Sequence, residues 1–329
     1  MLYSIIIPVF NRPDEVDELL QSLVLQHARN FEVIIVEDGS TNTCEQIVRN
    51  YSEQIEVSYF YKENSGPGDT RNVGAIKSNG DYLIFLDSDC IVPPDYLLEV
   101  EKELATKPAD AFGGPDRAHA SFTLMQKAIN YAMTSFFTTG GIRGGKKKMD
   151  DFYPRSFNMG IKKTVFEQLG GFSSMRFGED IDLSIRIFRQ GFSARLFSDA
   201  FVYHKRRTDL KKFYRQVYNS GMARINLYMK YPNSLKVVHL LPSLFTLGVL
   251  FLIISSFFCV YALLPVLLFV FLIFLDSSIR NKHIGIGLIS VAASFIQLVG
   301  YGTGFLHAWW KRCVLKKQDA SAFNVTFYK

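Results

Sequence analysis

The chain has 329 residues, of which 48% are hydrophobic, and it carries a formal net charge of +6. This length allows one large domain or two smaller ones. Four widely spaced cysteines lack the spacing of metal ligands and disfavour a disulfide framework, which indicates reduced thiols in the cytoplasm: Cys44, Cys90, Cys259 and Cys313. The basic residues cluster beside the apolar C-terminal region, where they would set membrane topology, so we expect no nucleic-acid partner.

The N-terminal part of the chain alternates apolar runs with helical patterns. The predicted strands are residues 4–9, 31–36, 55–61 and 81–86. Between them we predict helices that open at Pro13, near residue 43 and near residue 70. Continuous apolar strands that alternate with helices predict an α/β domain with a mostly parallel central sheet covered on both faces.

Polar residues stand where these predicted strands end. The ends of the first, second and fourth strands carry Asn11, Glu37, Asp38, Asp87 and Asp89. Ligands of parallel α/β sheets bind beyond the carboxyl ends of the strands. We therefore expect these side chains at one edge of the sheet, in a crevice suited to a nucleotide.

Asp87 and Asp89 are separated by a single serine at the end of the fourth predicted strand. If the extended backbone continues, both carboxylates point the same way. Two hard oxygen ligands at this place suit Mg²⁺ or Mn²⁺ shared with phosphate oxygens. An ordinary acidic turn is the alternative, because turns also favour Asp and Ser.

The segment NSGPGDTRNVGA, residues 64–75, is a glycine-rich loop that opens a helix. Gly66 and Gly68 allow close approach of the backbone, and Arg71 offers a planar fork of donors to a base or a phosphate. The segment is not a Walker loop, because no Gly-Lys-Ser/Thr follows. A simple turn is the alternative.

The segment RFGEDIDLSIRIFRQGF predicts a helix that starts after Gly178 with several carboxylates in its first turn. Its apolar face is expected to carry Ile181, Ile185 and Phe188. The helix dipole would keep Asp180 ionised, as a general base requires. A purely structural role is the alternative, because carboxylates favour helix N-termini.

Residues 237–275 contain no Asp, Glu, Lys or Arg. One straight helix of that length would be about twice as long as a bilayer core is thick. We therefore predict two membrane spans, 237–258 and 261–275, with Pro265 in the first turns of the second. A third uncharged run covers 284–306, and buried core helices are the alternative for all three runs.

Basic residues flank these runs and bear on their topology. They are Lys205, Arg206, Arg207, Lys211 and Lys212 before the first run, Arg280 and Lys282 after the second, and Lys311, Arg312, Lys316 and Lys317 in the tail. All three groups favour the cytoplasmic side, whereas three full spans would place the tail on the other side. Either this rule fails here or the glycine-rich third run does not cross. The N-terminus lacks a basic leader, so we expect no signal peptide and a soluble part that stays in the cytoplasm.

Taken in order, these segments resemble glycosyltransferase family 2, whose members bind nucleotide sugars with the GT-A fold. The resemblance covers roughly residues 2–220 and rests on the order and spacing of SIIIPVFNRPDEVDELLQSL, VEDGS, NSGPGDTRNVGA, FLDSDC and FNMGIKKTVFEQLGGFSSMRFGEDIDLSIRI. With the uncharged runs, it divides the chain into a GT-A catalytic domain at 1–235, a transmembrane region at 236–310 and a basic tail at 311–329.

The resemblance implies a site for the nucleotide-sugar donor. Pro8 and Asn11 lie where the family's first strand meets the nucleotide. Glu37 and Asp38 occupy the acidic pair that contacts base and ribose, although Glu37 stands where the family more often has Asp. Arg71 matches a residue that reaches the base or the phosphates.

The resemblance also implies a metal site and a catalytic base. In the family's DxD motif, Asp87 lies nearer the ribose, Ser88 also belongs to the donor site, and Asp89 binds Mg²⁺ or Mn²⁺. His204 resembles a histidine that binds metal or diphosphate in some relatives, with a solvated basic face as the alternative. Asp180 matches the aspartate of the Glu-Asp motif, which is the catalytic base.

The reaction implied is inverting, metal-dependent transfer of a sugar from a UDP- or GDP-sugar to a lipid-linked or surface glycan at the cytoplasmic face of the membrane. The Gln-x-x-Arg-Trp motif of processive synthases is missing after residue 204, which disfavours polymer synthesis. Transfer to a polyprenyl phosphate is the alternative, with Lys205, Arg206 and Arg207 on its headgroup. A non-catalytic, membrane-anchored binding protein is disfavoured, because Asp180 and both aspartates of FLDSDC are retained.

Two further segments lie between these motifs. Lys146–Lys148 follow GGIRGG in a loop that we expect to be solvated, with a lid over the donor as the alternative. Asn158, in FNMG, resembles the family's acceptor side and is expected to contact a sugar.

Overall fold

The computed structural model describes residues 1–140 and 152–317, so the predicted loop at Lys146–Lys148 lies outside the described residues. The described chain forms two compact units. Unit 1 comprises residues 1–117 and 152–204, and unit 2 comprises residues 118–140 and 205–317. The boundaries drawn from the sequence at residues 235 and 310 stay predictions.

All strands of the described residues lie in unit 1. They are β1 (Tyr3–Val9), β2 (Phe31–Asp38), β3 (Val57–Lys62), β4 (Tyr82–Leu86), β5 (Cys90–Ile91), β6 (Ala111–Gly113), β7 (Asp116–Arg117), β8 (Asn158–Lys162), β9 (Ala194–Leu196) and β10 (Val202–His204). The α-helices are α1 (Pro13–Val24), α2 (Glu45–Arg49), α3 (Pro67–Ile76), α4 (Tyr96–Thr106), α5 (Leu124–Thr134), α6 (Phe136–Thr139), α7 (Lys163–Gln168), α8 (Glu179–Arg189), α9 (Leu210–Lys230), α10 (Leu241–Ser256), α11 (Leu264–Asn281) and α12 (Ile284–Trp309). Short 3₁₀ helices cover Pro232–Ser234, Val237–His239 and Val260–Leu263, and a π-helical turn covers Trp310–Val314.

A seven-stranded sheet in the order β3-β2-β1-β4-β8-β6-β9 forms the centre of unit 1. The pairs β1–β2, β2–β3, β1–β4 and β6–β9 are parallel, whereas β8 runs antiparallel to both β4 and β6. Every residue of β2 and β4 is buried, as expected for strands covered on both faces. The mostly parallel α/β sheet predicted from the sequence is confirmed.

Alternate residues of the strands contribute to two apolar layers, one on each face of the sheet. Ile5 and Ile7 belong to the layer that also contains buried residues of α1 and α4. Ile6 belongs to the other layer, which contains buried residues of α3, α7 and α8. The helices that alternate with the strands therefore cover both faces of the sheet.

Helix α8 begins at Glu179, as predicted, but its core-facing side differs from the prediction. Leu183 and Ile187 join the apolar layer, and Ile185 is buried as predicted, while Ile181 and Phe188 are only partly buried. Both sides of this helix carry apolar residues at helical spacing, so periodicity alone does not choose between them. Phe188 instead meets the ring of Tyr153 edge-on at a centroid distance of 5.4 Å.

A second sheet, in the order β5-β10-β7, joins three short strands of unit 1. Strand β10 runs antiparallel to β5, which places His204 opposite Cys90. It runs parallel to β7, which places Val202 opposite Asp116. This small sheet therefore brings three distant parts of the sequence to the turn that follows β4.

Helix α12 is the central helix of unit 2 and packs against α5, α9, α10 and α11. Glycine allows its close approach to α9. A Cβ atom at Gly304 would lie 2.1 Å from the carbonyl oxygen of Tyr218, and one at Gly221 would lie 2.2 Å from that of Tyr301. These two helices therefore pack with their backbones almost in contact.

The apolar C-terminal runs form helices whose bounds differ from the predicted spans. The continuous helix expected over 237–258 is wrong, because Val237–His239 forms a separate 3₁₀ turn and α10 has only 16 residues. Helix α11 has Pro265 in its first turn, as predicted, and continues to Asn281. Among residues 1–140 and 152–317, two segments are long and apolar enough to cross a membrane: Val260–Asn281 and Ile284–Val314.

The central strand β4 offers a test of this packing. Ile84 is fully buried, whereas Ile76, at the end of α3, is 78% exposed. We expect Ile84→Ala to lower the free energy of unfolding by about 2–5 kcal/mol, because it leaves a cavity in the core. The same change at Ile76 is expected to alter it by less than about 0.5 kcal/mol. Denaturant unfolding of both variants measures the difference, and equal losses would contradict this assignment of the core.

Candidate active site

The turn after β4 carries Asp87, Ser88 and Asp89. The extended backbone does not continue through it, because β4 ends at Leu86 and the amide of Cys90 bonds back to the carbonyl oxygen of Asp87 at 3.1 Å. The two carboxylates accordingly have different partners. Asp87 pairs with one arginine of α3, whereas Asp89 faces the small β5-β10-β7 sheet. The condition under which both carboxylates were expected to point the same way, a continued extended backbone, is therefore not met.

Asp89 and His204 form the centre of a possible cation site. The Nε2 atom of His204 lies 3.0 Å from Oδ1 of Asp89, and its Nδ1 atom lies 3.8 Å from Oδ2 of Asp116. The imidazole also stacks on the ring of Phe157 at a centroid distance of 4.9 Å. The pairing of β10 with β5 and β7 fixes this arrangement.

The donor atoms of Asp89, Cys90 and His204 all lie within 4.8 Å of one another. Burial, followed by the nearby negative charge of Asp89, raises the pKa of the Cys90 thiol well above its usual value, so the thiol stays protonated and is a poor ligand. A carboxylate suits both Mg²⁺ and Mn²⁺, and an imidazole suits transition metals better than Mg²⁺. Asp89 and His204 therefore fit a divalent cation, and Mn²⁺ better than Mg²⁺.

Arg12 also reaches this cluster, and it was not among the residues predicted from the sequence. Its Nη1 atom lies 2.9 Å from Oδ2 of Asp89 and 2.6 Å from Oε2 of Glu15. Arg12 precedes α1 in the loop after β1, beside Asn11. Its proximity to a predicted strand end was the only available signal, and the contact to Asp89 depends on the fold.

Arg71 lies at the centre of a second cluster. Its buried guanidinium donates from Nη2 to Oδ1 of Asp87 at 2.6 Å and from Nη1 to Oε1 of Glu179 at 3.2 Å. Its guanidinium carbon lies 5.5 Å from the centroid of the Phe172 ring. Arg71 thus connects the turn after β4 with the first turn of α8.

Asp180 follows Glu179 in α8 and is paired with Arg155. The Nε atom of Arg155 lies 2.5 Å from Oδ2 of Asp180, and the amide of Ile181 donates to Oδ1 at 2.8 Å. Burial acts to raise the pKa of Asp180, but the charge and hydrogen bond of Arg155, the amide of Ile181 and the charge of Arg71 together outweigh it and hold that pKa below its usual value. Asp180 is therefore a carboxylate at neutral pH.

Glu179 behaves differently from its neighbour. Burial and the adjacent charge of Asp180 raise the pKa of Glu179, and they outweigh the opposing effect of Arg71. Two adjacent buried carboxyl groups with pKa values shifted in opposite directions are typical of functional sites. The sequence predicted Asp180 but not Arg155, which lies outside every motif used.

Asp38 organises the glycine-rich loop. Its Oδ1 atom accepts from the amide of Ser65 at 2.9 Å and from Nζ of Lys62 at 2.7 Å, and its Oδ2 atom accepts from the amide of Gly66 at 3.0 Å. Gly66 has a φ of 100°, which favours glycine at this position. Asp38 therefore shapes the loop that carries Arg71.

Glu37 does not share these contacts. Its Oε2 atom accepts from the amide and thiol of Cys44, at 3.0 and 3.1 Å, and from the hydroxyl of Tyr59 at 3.2 Å. Successive residues of a strand point to opposite faces, so Glu37 and Asp38 are separated by the sheet. The structure does not bring them together as a joint acidic pair.

Asn11 and Pro8 lie at the end of β1. Asn11 has a φ of 53°, and its side-chain oxygen accepts from the amides of Thr41 and Asn42, both at 2.9 Å. Pro8 is opposite Val36 in the sheet. Asn11 thus ties the loop after β1 to the loop after β2, at the edge where the sequence predicted a crevice.

Asn158 has no side-chain group left for a sugar. It is fully buried, its Oδ1 atom accepts from the Tyr96 hydroxyl at 2.6 Å, and its Nδ2 atom donates to the carbonyl oxygen of Ala200 at 2.9 Å. The expectation of a sugar contact is therefore wrong. Asn158 instead holds β8 against neighbouring segments.

Comparison with known proteins adds to this geometry. Residues 4–170 match the family described as glycosyl transferase family 2. The chain belongs to this family. An uncharacterized glycosyltransferase from Haemophilus influenzae is 32% identical over 197 residues, which are 57% of this chain and 63% of that protein. Among the first curated relatives, the matched segment spans between 12% and 63% of the relative's own length.

Two solved structures show the fold of this family member. The mannosyltransferase PcManGT from Pyrobaculum calidifontis, in complex with GDP-Man and Mn²⁺, matches with a TM-score of 0.61 and 16% identity over 94% of this chain and 87% of that one. A fragment of S. aureus TarS in complex with UDP-GlcNAc matches with a TM-score of 0.50 and 20% identity over 69% of this chain and 67% of that one. The family 2 chain therefore has a GT-A-like fold.

The Asp89–His204 pair predicts a measurable cation site. We expect Asp89→Ala to weaken Mn²⁺ binding at least tenfold, because it removes the carboxylate ligand. Asp95→Ala is the matched control, since Asp95 is exposed and pairs with His27 on the surface. Calorimetric titration with Mn²⁺ measures both. Equal Mn²⁺ affinity of Asp89→Ala and the unchanged protein would rule out this site.

Proposed function

We propose that this protein transfers a sugar from a UDP- or GDP-sugar to an acceptor hydroxyl with inversion at the anomeric carbon. The observation that carries the proposal is the double contact of Arg71, which joins Asp87 of the predicted donor turn to Glu179, the neighbour of Asp180. Family membership and neighbours that bind UDP-GlcNAc or GDP-Man support a nucleotide-sugar donor. The nucleotide-sugar donor and the catalytic base would then lie beside the same residue, Arg71.

Asp89 and His204 would hold the divalent cation. A cation bound there supplies charge that neutralises the diphosphate leaving group. Arg12 lies 2.9 Å from Asp89 and adds a positive charge at the same place. On the donor side, Asp38 shapes the loop of Gly66, while Asn11, Pro8, Asp87 and Ser88 line the predicted edge for base and ribose.

Asp180 would act as the general base. An attacking hydroxyl must lose its proton as the bond to the anomeric carbon forms, and an ionised carboxylate can accept it. Arg155 keeps Asp180 ionised and fixes the direction of its carboxylate through a 2.5 Å contact. A single displacement assisted by one base inverts the anomeric configuration.

The proposed acceptor is a lipid-linked or surface glycan at the cytoplasmic face of the inner membrane. The two long apolar segments of unit 2 support attachment to a membrane. A polyprenyl phosphate acceptor is weakly supported, because Arg206, one of its three expected ligands, is buried and donates to Oδ1 of Asn130 at 3.1 and 3.2 Å. The glycan acceptor therefore remains our proposal.

Replacement of the base gives the main test. We expect Asp180→Asn to lower turnover at least 100-fold while donor affinity changes less than about threefold, since general base catalysis contributes about 10²–10⁴. Exposed Asp199→Asn is the control. Nucleotide release from UDP- and GDP-sugars with Mn²⁺, in detergent and with lipid acceptors, measures turnover, and product analysis separates glycosides from sugar phosphates. Equal turnover in both variants would eliminate Asp180 as the base.

Arg155 gives a separate prediction about pH. In the folded protein Arg155 depresses the pKa of Asp180, so Arg155→Gln should raise it. The base is active only when ionised, and the acidic limb of the pH–rate profile should therefore move to higher pH. Arg155→Lys, which keeps the charge, should move it less. A lower rate with an unchanged acidic limb would show that Arg155 does not set this pKa.

A further inference from the structure

Helix α9 bears a row of charges on one side and packs against α12 on the other. The charged residues on the outer side, Lys211, Lys212, Arg215 and Lys230, are all exposed, whereas the partly buried Arg224 lies on the side of Phe213 and Val217, which packs against α12. A helix with so many unburied charges does not enter the hydrocarbon core of a bilayer. An amphipathic helix of this kind belongs in the interface between lipid and water.

Helices α9 and α12 pack side by side in a parallel orientation. Val217 meets Gly300, Tyr218 meets Gly304, and Ile225 packs with Phe305 and Ala308. At the start of the contact, Phe213 and Val217 share a core with Ala293. Residues 293–308 of α12 therefore lie at the same depth as α9.

Both ends of α12 have the same chemical character. Arg280 and Lys282 precede it, and Lys311 and Arg312 follow it. Trp309 and Trp310 are exposed beside the last pair. Basic residues and tryptophans together mark the membrane interface on the cytoplasmic side. This pattern places both ends of α12 on one side, in agreement with its packing on α9.

The hairpin of α10 and α11 is the part of unit 2 that suits lipid. Phe245, Phe269 and Phe295 form a triangle of rings, with centroids 5.1–5.8 Å apart, that joins the hairpin to α12. The hairpin exposes large apolar side chains on both sides of this triangle, from Leu241 at 53% before it to Phe258 at 90% beyond it. From Phe245 to Phe257 the helix advances roughly 18 Å. That distance matches half of a hydrocarbon core about 30 Å thick.

The tip of the hairpin is built for an environment without water. Its sequence, FFCVYAL at residues 257–263, contains no charged residue. The amide of Phe257 donates to the carbonyl oxygen of Ile254, and the amides of Phe258 and Cys259 donate to that of Ser255. The amide of Ala262 donates to the carbonyl oxygen of Cys259. Backbone groups within a bilayer must be satisfied internally, and most of this tip meets that requirement.

We propose that unit 2 is monotopic: the α10–α11 hairpin enters one leaflet and returns, and α12 does not cross the bilayer. The occupant of the exposed apolar surface is the acyl layer of that leaflet. This inference rests on the proposed membrane attachment. Three membrane spans would place the basic tail on the side opposite to the other basic groups. With a monotopic unit 2, all of these basic groups lie on the same side of the membrane.

Two native cysteines report on this arrangement. Cys259 is exposed at the tip, and Cys313 lies just after α12, whereas Cys44 and Cys90 are buried. Cys313→Ser and Cys259→Ser each leave one accessible thiol for a membrane-impermeant maleimide. The label is applied to spheroplasts of a bacterial host, to inverted membrane vesicles and to detergent-solubilised protein.

We expect Cys313 to react in inverted vesicles and not in spheroplasts. Cys259 should react at least tenfold less in both membrane preparations than in detergent. Labelling of Cys259 in spheroplasts would show that the hairpin spans the membrane. Labelling of Cys313 in spheroplasts would show that α12 crosses it. Strong labelling of Cys259 in inverted vesicles would show that the hairpin is not inserted. Each of these three results overturns the proposal.

A charge at the tip gives an independent readout. Val260 and Val237 are similarly exposed, at 67% and 74%, but only Val260 would lie within lipid. We expect Val260→Asp to reduce the membrane-bound fraction after a carbonate wash at least tenfold, and Val237→Asp to leave it within twofold. Equal retention of both variants would overturn the proposal. Sugar transfer in detergent is measured separately, so failure of the proposed reaction and failure of the topology give different results.

Discussion

The candidate site depends on the two ion pairs that the buried guanidinium of Arg71 forms with Asp87 and Glu179. Arg71 comes from α3, which follows the glycine-rich loop, and it joins the turn after β4 to the start of α8. A buried charge is costly unless it is paired, so this position commits both Asp87 and Glu179 to its neighbourhood. Loss of either partner would leave an uncompensated charge in the interior. The geometry of the turn after β4 and that of the first turn of α8 are therefore set together.

Arginine recurs at each acidic group that the proposed reaction uses. Arg12 contacts Asp89, and Arg155 contacts Asp180. An arginine beside a carboxylate keeps it ionised and fixes its orientation through directional hydrogen bonds. In the proposed reaction it would also provide a cationic environment for the diphosphate of the donor. Within unit 1, Asp89 and Asp180 thus each have an arginine directly beside them.

The sequence predicted those features that depend on local pattern. Apolar runs identified β1, β2 and β4, and the polar side chains that follow them lie at the carboxyl ends of the parallel strands, where ligands of such sheets bind. It did not predict Asp116, Arg12 or Arg155, because each reaches the site through contacts between distant segments. It also misassigned Asn158, whose amide is used for packing. A side chain's partner depends on the fold, which residue type and spacing alone do not specify.

The small β5-β10-β7 sheet has a consequence for how the protein is made. His204 lies 115 residues after Asp89 and 88 after Asp116, whereas β1, β2, β3 and β4 all lie within residues 3–86. Contacts of long sequence separation form late, because the loop-closure entropy must be overcome first. During synthesis, the β1–β4 half of the sheet can therefore assemble before the residues of the proposed cation site come together. The chain would thus become able to bind a metal late in folding, after β10 has left the ribosome and paired with β5 and β7.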